Sequence, residues 1–160
     1  RAQLLDAGDE GEHDPQRAVR GRAQERPQLR LEHLVERQAE AQAAQFVAEG
    51  AELVLVTGGM SVDPDDVTPI GIRATGAEVV SYGAPSLPGS MFMMAYLGHV
   101  PVCGLPGCVM FNSVTILDLI LPRIFAGERV SQPEIVALGH GGLCGECQEC
   151  HYPACSFGKS

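Results

Sequence analysis

Positive charge is scarce in this chain. Eleven Lys and Arg stand against twenty Asp and Glu in 160 residues, a formal charge of −9. That balance argues against a non-specific nucleic-acid binder, which needs a basic face. It still allows an anionic small molecule, because backbone amides converging on one point can outweigh the global field. Long apolar runs are missing as well. No stretch of about 18 apolar residues occurs, so no membrane span is expected. The first residues lack a charged-then-apolar signal pattern, so export is not expected and the localisation reads as cytoplasmic. Aromatics make up 5% of the chain, and none precedes Phe46.

What is present falls into three zones. Residues 1–30 hold sparse apolar positions among Gly, Asp, Glu, Gln and Arg, and seven of the ten arginines precede residue 38. Such a segment buries little surface and is expected to be poorly ordered and atypical. From Leu31 a helical period emerges through Leu34, Val35, Ala39, Ala43, Phe46 and Val47, with Gly50 as the stop.

The middle zone, residues 31–130, is expected to be the α/β domain. The run 52–56 reads as a buried parallel strand. Thr68-Pro69 reads as an N-cap with proline at the first helical position, and Gly76 as the end of that helix. "AEVVSYGAP" reads as a second strand, "GSMFMMAYLGH" as a short helix, and "VPVCGLPG" as a third strand with a glycine turn. "CVMFNSVTILDLILPRIFAG" reads as one long helix kinked at Pro122. Strands separated by helices predict a parallel α/β sheet.

In such a sheet, ligands bind beyond the carboxyl ends of the strands. Thr57-Gly58-Gly59 and Gly104-Leu105-Pro106-Gly107 both lie at such ends. Glycine lets backbone amides approach a ligand, and phosphate is the expected guest, with a helix N-terminus near Cys108 aimed at it. Either turn alone could be a plain tight turn; two turns plus an acidic run suggest more. Ser61 has the hydroxyl for a phosphate oxygen, or for its own backbone. Asp66 can belong to the helix cap, or hold Mg²⁺ or orient a reacting group. Asp63 and Asp65 can be plain loop carboxylates.

"TGGMSVDPDDVTP", then "LPGSMFMMAYLGHVPVCGLPG" and a helix ending "LPRIFAGE", together resemble the molybdopterin-binding domain family of molybdenum-cofactor biosynthesis. That family includes the MogA/MoaB-like proteins, the MoeA-like insertases and gephyrin. The resemblance covers about residues 45–128. It implies a three-layer α/β/α fold with a mostly parallel sheet, here without the usual first strand. It implies a pterin phosphate bound at Gly58, Gly59, Gly104, Pro106 and Gly107, with Asp66 on the family's functional aspartate as the catalytic residue; Thr57, Ser61, Asp63 and Leu105, from the same turns and loop, complete the candidate cofactor-binding set. The activity implied is adenylylation of molybdopterin with Mg-ATP, or molybdate insertion into the adenylylated form. The alternative is a non-catalytic carrier or a redox or metal sensor. Trimers or contacts with other cofactor-assembly proteins are implied as partners. The chain departs from the family at Asp65, Ser90 and Cys108-Val109, and across residues 1–30.

The last zone, residues 131–160, is rich in glycine and cysteine and lacks periodicity, so something other than a hydrophobic core is expected to order it. Cys144, Cys147, Cys150 and Cys155 fall within twelve residues. Without a secretion signal, that clustering reads as a metal-stapled tail holding an iron–sulfur cluster or zinc, ahead of disulfides or free thiols. His140 and His151 are candidate substitute ligands. Cys103 and Cys108 read as buried or turn cysteines.

Overall fold

The computed structural model describes residues 42–63 and 66–159. The segment 1–30 and the helical positions Leu31, Leu34, Val35 and Ala39 lie outside them, as does Asp65. Four strands are present among the described residues: β1 (Val54–Thr57), β2 (Glu78–Tyr82), β3 (Met93–Leu97) and β4 (Val100–Leu105). The helices are α1 (residues 42–48), α2 (Thr68–Ala74), α3 (Ile116–Phe125) and α4 (Gln132–Ala137). Short 3₁₀ turns occupy Gly107–Met110 and Leu138–Gly141. The described residues form no helix long and apolar enough to cross a membrane.

The sheet runs β1-β4-β3-β2. The expected parallel pairing is that of β1 with β4. The β3–β4 and β2–β3 pairings are antiparallel, so the sheet is mixed rather than mostly parallel. The reason lies in "GSMFMMAYLGH", which forms β3 instead of a helix. Met, Ala and Leu favour helices, but burial on both faces overrides that preference. Met93 and Ala95 pack on one side, and Phe92, Met94 and Tyr96 on the other, all at most 4% exposed. Gly98 (φ +64°) and His99 then close a two-residue hairpin that pairs Leu97 with Val100.

Alternation along β3 and β4 makes two cores, and hence three layers. Met93, Ala95, Val100 and Val102 meet Ala43 and Ile72 of α1 and α2. Met94, Tyr96, Cys103 and Leu105 meet Ile116 and Ile120 of α3 and Ile135 of α4. Phe46, expected on the buried face of α1, is half exposed, while Ala43 and Val47 pack inward. The glycine-rich zone also shares in this packing. Ile135 and Phe157 are buried, and a Cβ on Gly141 or Gly142 would stand 2.4 Å from the Lys159 carbonyl or 2.0 Å from the Pro85 carbonyl. These glycines allow backbone to lie on backbone.

The long helix expected from Cys108 is split. Its first part is the 3₁₀ turn, and α3 starts only after Thr115. There a capping box forms: the Leu117 amide donates to Thr115 Oγ1 (3.2 Å), and the Thr115 amide donates to Asp118 Oδ2 (2.7 Å). Pro122 sits inside α3. Having no N–H, it cannot satisfy the carbonyl four residues back, which is that of Asp118. The Tyr152 hydroxyl donates to that carbonyl at 3.0 Å. Tyr152→Phe should therefore cost about 1 kcal/mol in chemical denaturation. In a Pro122→Ala background, whose amide can make the helical bond, the cost should shrink toward zero in a double-mutant cycle.

Glu134 links α4 to α3. Its carboxylate accepts from the Ser131 hydroxyl and amide and from Arg123. The Ser131 hydroxyl bond, followed by Arg123, pulls its pKa from 4.5 down to about 2. A carboxyl held below its unfolded value gives stability that is complete above pH 4.5 and lost as pH falls toward 2. Melting temperature measured across that window should fall less steeply in Glu134→Gln than in the parent.

Candidate functional site at the two glycine turns

β1 and β4 pair in parallel with Thr57 opposite Leu105. Both strands therefore leave the sheet at the same end, side by side, and the two glycine turns become neighbours. The first turn is held from beneath. Thr68 Oγ1 donates to the Gly58 carbonyl at 2.8 Å, so Thr68 serves the turn instead of capping α2. The N-cap position is Val67, with no side-chain cap.

The acidic loop closes on itself. Both the amide and the hydroxyl of Ser61 donate to Asp66 Oδ2. The Asp63 amide donates to Ser61 Oγ at 3.2 Å, and the Asp66 amide to the Asp63 carbonyl at 3.0 Å. Asp66 thus braces the loop rather than capping α2. Neither Ser61 bond uses Asp66 Oδ1, and the residue is half-buried at the loop's edge.

The glycines divide into two kinds. A Cβ on Gly59 (φ +57°) would stand 2.7 Å from Thr68 Oγ1. One on Gly104 would stand 2.7 Å from Met60 Cε and 3.1 Å from Met93 Cβ. These two positions are filled by packing. Gly58 and Gly107 have nothing within 4 Å of a built Cβ and open outward. Leu105 and Pro106 are buried, while Thr57 is exposed. Met60, absent from the sequence-based site, is the buried plug that ties the first turn to β4. Its position directly after Gly58-Gly59 is the only signal the sequence offers.

The expected helix N-terminus near Cys108 is not delivered. Gly107–Met110 is a single 3₁₀ turn, and α3 opens at Ile116 with its first amides already engaged, that of Ile116 by the Pro88 carbonyl and those of Leu117 and Asp118 by Thr115. No Lys or Arg occurs in residues 57–66 or 104–114. Burial raises the Cys108 thiol pKa, and pushes that of the fully buried Cys103 to about 12, so Cys103 is an inert core thiol.

Two cavities lie elsewhere. One of about 570 Å³ sits at the far end of β1 and β4, lined by Glu52, Tyr96, His99, Phe125 and Arg129. The other, about 420 Å³, is lined by all four tail cysteines and His151. His140 lies in the short 3₁₀ turn, away from that lining. The four thiols are free, and among the described residues no three His, Cys, Asp or Glu side chains group closely enough to hold one ion.

A three-layer α/β fold with two adjoining glycine turns at one sheet end defines a class of domain whose ligands bind beyond the carboxyl ends of the strands. The family model described as a probable molybdopterin binding domain matches residues 29–126, and the chain belongs to that family. No curated protein matches it.

The two kinds of glycine can be told apart by denaturation. Gly104→Ala should lose about 1–3 kcal/mol through overpacking against Met60 and Met93. Gly107→Ala, facing open space, should stay within about 0.5 kcal/mol of the parent.

Proposed function

We propose that the chain binds the phosphate of molybdopterin across the two glycine turns and acts on it in molybdenum-cofactor biosynthesis. The action is adenylyl transfer from Mg-ATP, or molybdate insertion into the adenylylated cofactor. The observation that carries this reading is the parallel Thr57–Leu105 register, which sets the open Gly58 and Gly107 beside each other at one sheet end. In adenylyl transfer, a phosphate oxygen of the pterin attacks the α-phosphorus of ATP, and pyrophosphate leaves.

With no Lys or Arg in either turn, the negative charge must be met by backbone amides and a divalent cation. Asp66 fits the latter role: Ser61 fixes it through Oδ2, and Oδ1 takes no part in those bonds. Bound there, Mg²⁺ would supply charge neutralisation to the phosphoryl group. Thr57, Ser61, Leu105 and Pro106 shape the rim, and Asp63 closes the acidic loop. A carrier or sensor is the second reading. The same lack of a cation favours it, because binding without turnover demands less charge stabilisation.

The test is molybdopterin binding by pterin fluorescence, together with product analysis of molybdopterin in Mg-ATP and, separately, of adenylylated molybdopterin with molybdate. Adenylylated molybdopterin would assign transfer, and molybdate-dependent AMP release would assign insertion. Binding without either would assign the carrier. No binding by a folded chain would sink all three. Asp66→Ala should cut turnover roughly 10–100-fold, the equivalent of one charged hydrogen bond. Gly107→Val should keep the fold and weaken pterin binding at least about tenfold, since it fills the open turn.

A further inference from the structure

We propose that Cys144, Cys147, Cys150 and Cys155 together hold one thiophilic metal centre, closing the loop between Leu143 and Phe157 over the cavity they line. The proposal does not depend on the pterin reading.

Both ends of this loop are tied to the domain. Leu87 and Leu143 form a parallel bridge, with the Leu87 amide donating to the Gly142 carbonyl (2.7 Å) and the Cys144 amide to the Leu87 carbonyl (2.8 Å). At the other end Phe157 is buried, and its ring meets Tyr152 edge-on at 6.4 Å. The Gly158 amide donates to the Gly141 carbonyl at 2.7 Å, and Tyr152 reaches the Asp118 carbonyl of α3. Between these anchors the chain has little to hold it. Residues 145–151 carry no aliphatic or aromatic side chain and form no helix or strand. Cys147 and Cys150 are exposed. A segment with fixed ends and no apolar content needs a cross-link to take one conformation.

The thiols are the groups placed to supply it. All four line the same cavity of about 420 Å³, although they come from twelve residues of sequence. All four are free, whereas disulfide pairing would use them up. They share the cavity without converging. Cys144 lies next to one anchor and Cys155 next to the other, and the stretch between them that carries Cys147 and Cys150 is the part to fold inward over the cavity. Four thiolates suit zinc or an iron–sulfur cluster, and not Mg²⁺ or Ca²⁺. His151 lines the same cavity but adds a fifth group that a four-coordinate centre does not need.

The test uses the full chain, purified anaerobically with reductant, and measures zinc, iron and acid-labile sulfide. About one zinc per chain assigns a mononuclear centre; iron with matching sulfide assigns a cluster; both support the proposal. The stripped protein is then titrated with cobalt(II) alone. The expected result is a thiolate-to-cobalt charge-transfer band with tetrahedral d–d absorption, both abolished by zinc. Cys147→Ser and Cys150→Ser should each lose these bands with the far-ultraviolet circular dichroism unchanged, while Cys108→Ser and His151→Ala keep them. Absence of the bands in a parent chain that also carries no zinc and no iron with sulfide would overturn the proposal, as would retention of the bands or of the iron and sulfide in both serine variants. Disulfides among the four cysteines in reductant-purified protein would overturn it too.

Discussion

The parallel pairing of β1 with β4 is the constraint on which the candidate site depends. β4 is buried at all six of its residues, so its backbone groups have no water to turn to and must be met by neighbouring strands. β3 meets one edge and β1 the other. Were β1 antiparallel, the two glycine turns would open at opposite ends of the sheet. In parallel register they open together. Gly104 adds a second tie, because its missing side chain leaves the space that Met60 fills. The loop after β1 is thereby fastened to β4 from within the core, and Thr68 fastens it to α2 from outside.

Much of this was legible in the chain, and the exceptions have physical causes. β1, β2 and β4 could be read because β-branched runs end in glycine. β3 could not, since its Met and Ala residues carry helix propensity and only burial on both faces makes them a strand. The clue that outweighed propensity was Leu97-Gly98-His99-Val100, a two-residue hairpin between apolar runs. The start of α3 was also written in the sequence, as Thr115 three residues before Asp118, but Pro106-Gly107 offered a more conspicuous false start. Pro122 was visible as a helix anomaly. That Tyr152, thirty residues later, would answer its orphaned carbonyl was not, because such a bond depends on tertiary placement. The glycine turns could be found by pattern, but their adjacency could not: it is a property of strand register.

Glycine in this fold does three separate jobs. Gly59 and Gly104 yield space to Thr68 and Met60. Gly141 and Gly142 yield space to other backbone, which explains how a zone without hydrophobic period still joins the domain. Of the four glycines described at the two turns, Gly58 and Gly107 leave space unfilled by protein. A glycine whose absent side chain is occupied by a neighbour says nothing about a ligand. One whose absent side chain faces open space, at a strand end shared with another such glycine, does. Open space at the turns therefore comes from Gly58 and Gly107 and not from the motif as a whole.

The two proposed sites are physically continuous. Phe111, Asn112, Ser113 and Val114 line the cysteine cavity, and they follow directly on the 3₁₀ turn that begins at Gly107. The Cys108 carbonyl holds the junction, accepting from the Phe111 amide, the Asn112 amide and Asn112 Nδ2. Contact of this kind does not by itself transmit a signal. Coupling requires an element with two arrangements that both sites bias. Three hydrogen bonds hold the junction, whereas residues 145–151 form no helix or strand. If the loop closes on a metal, the change reaches Gly107 only through residues 111–114. Phe111 lines the cysteine cavity three residues beyond Cys108, with its side chain exposed at 89% of its free surface.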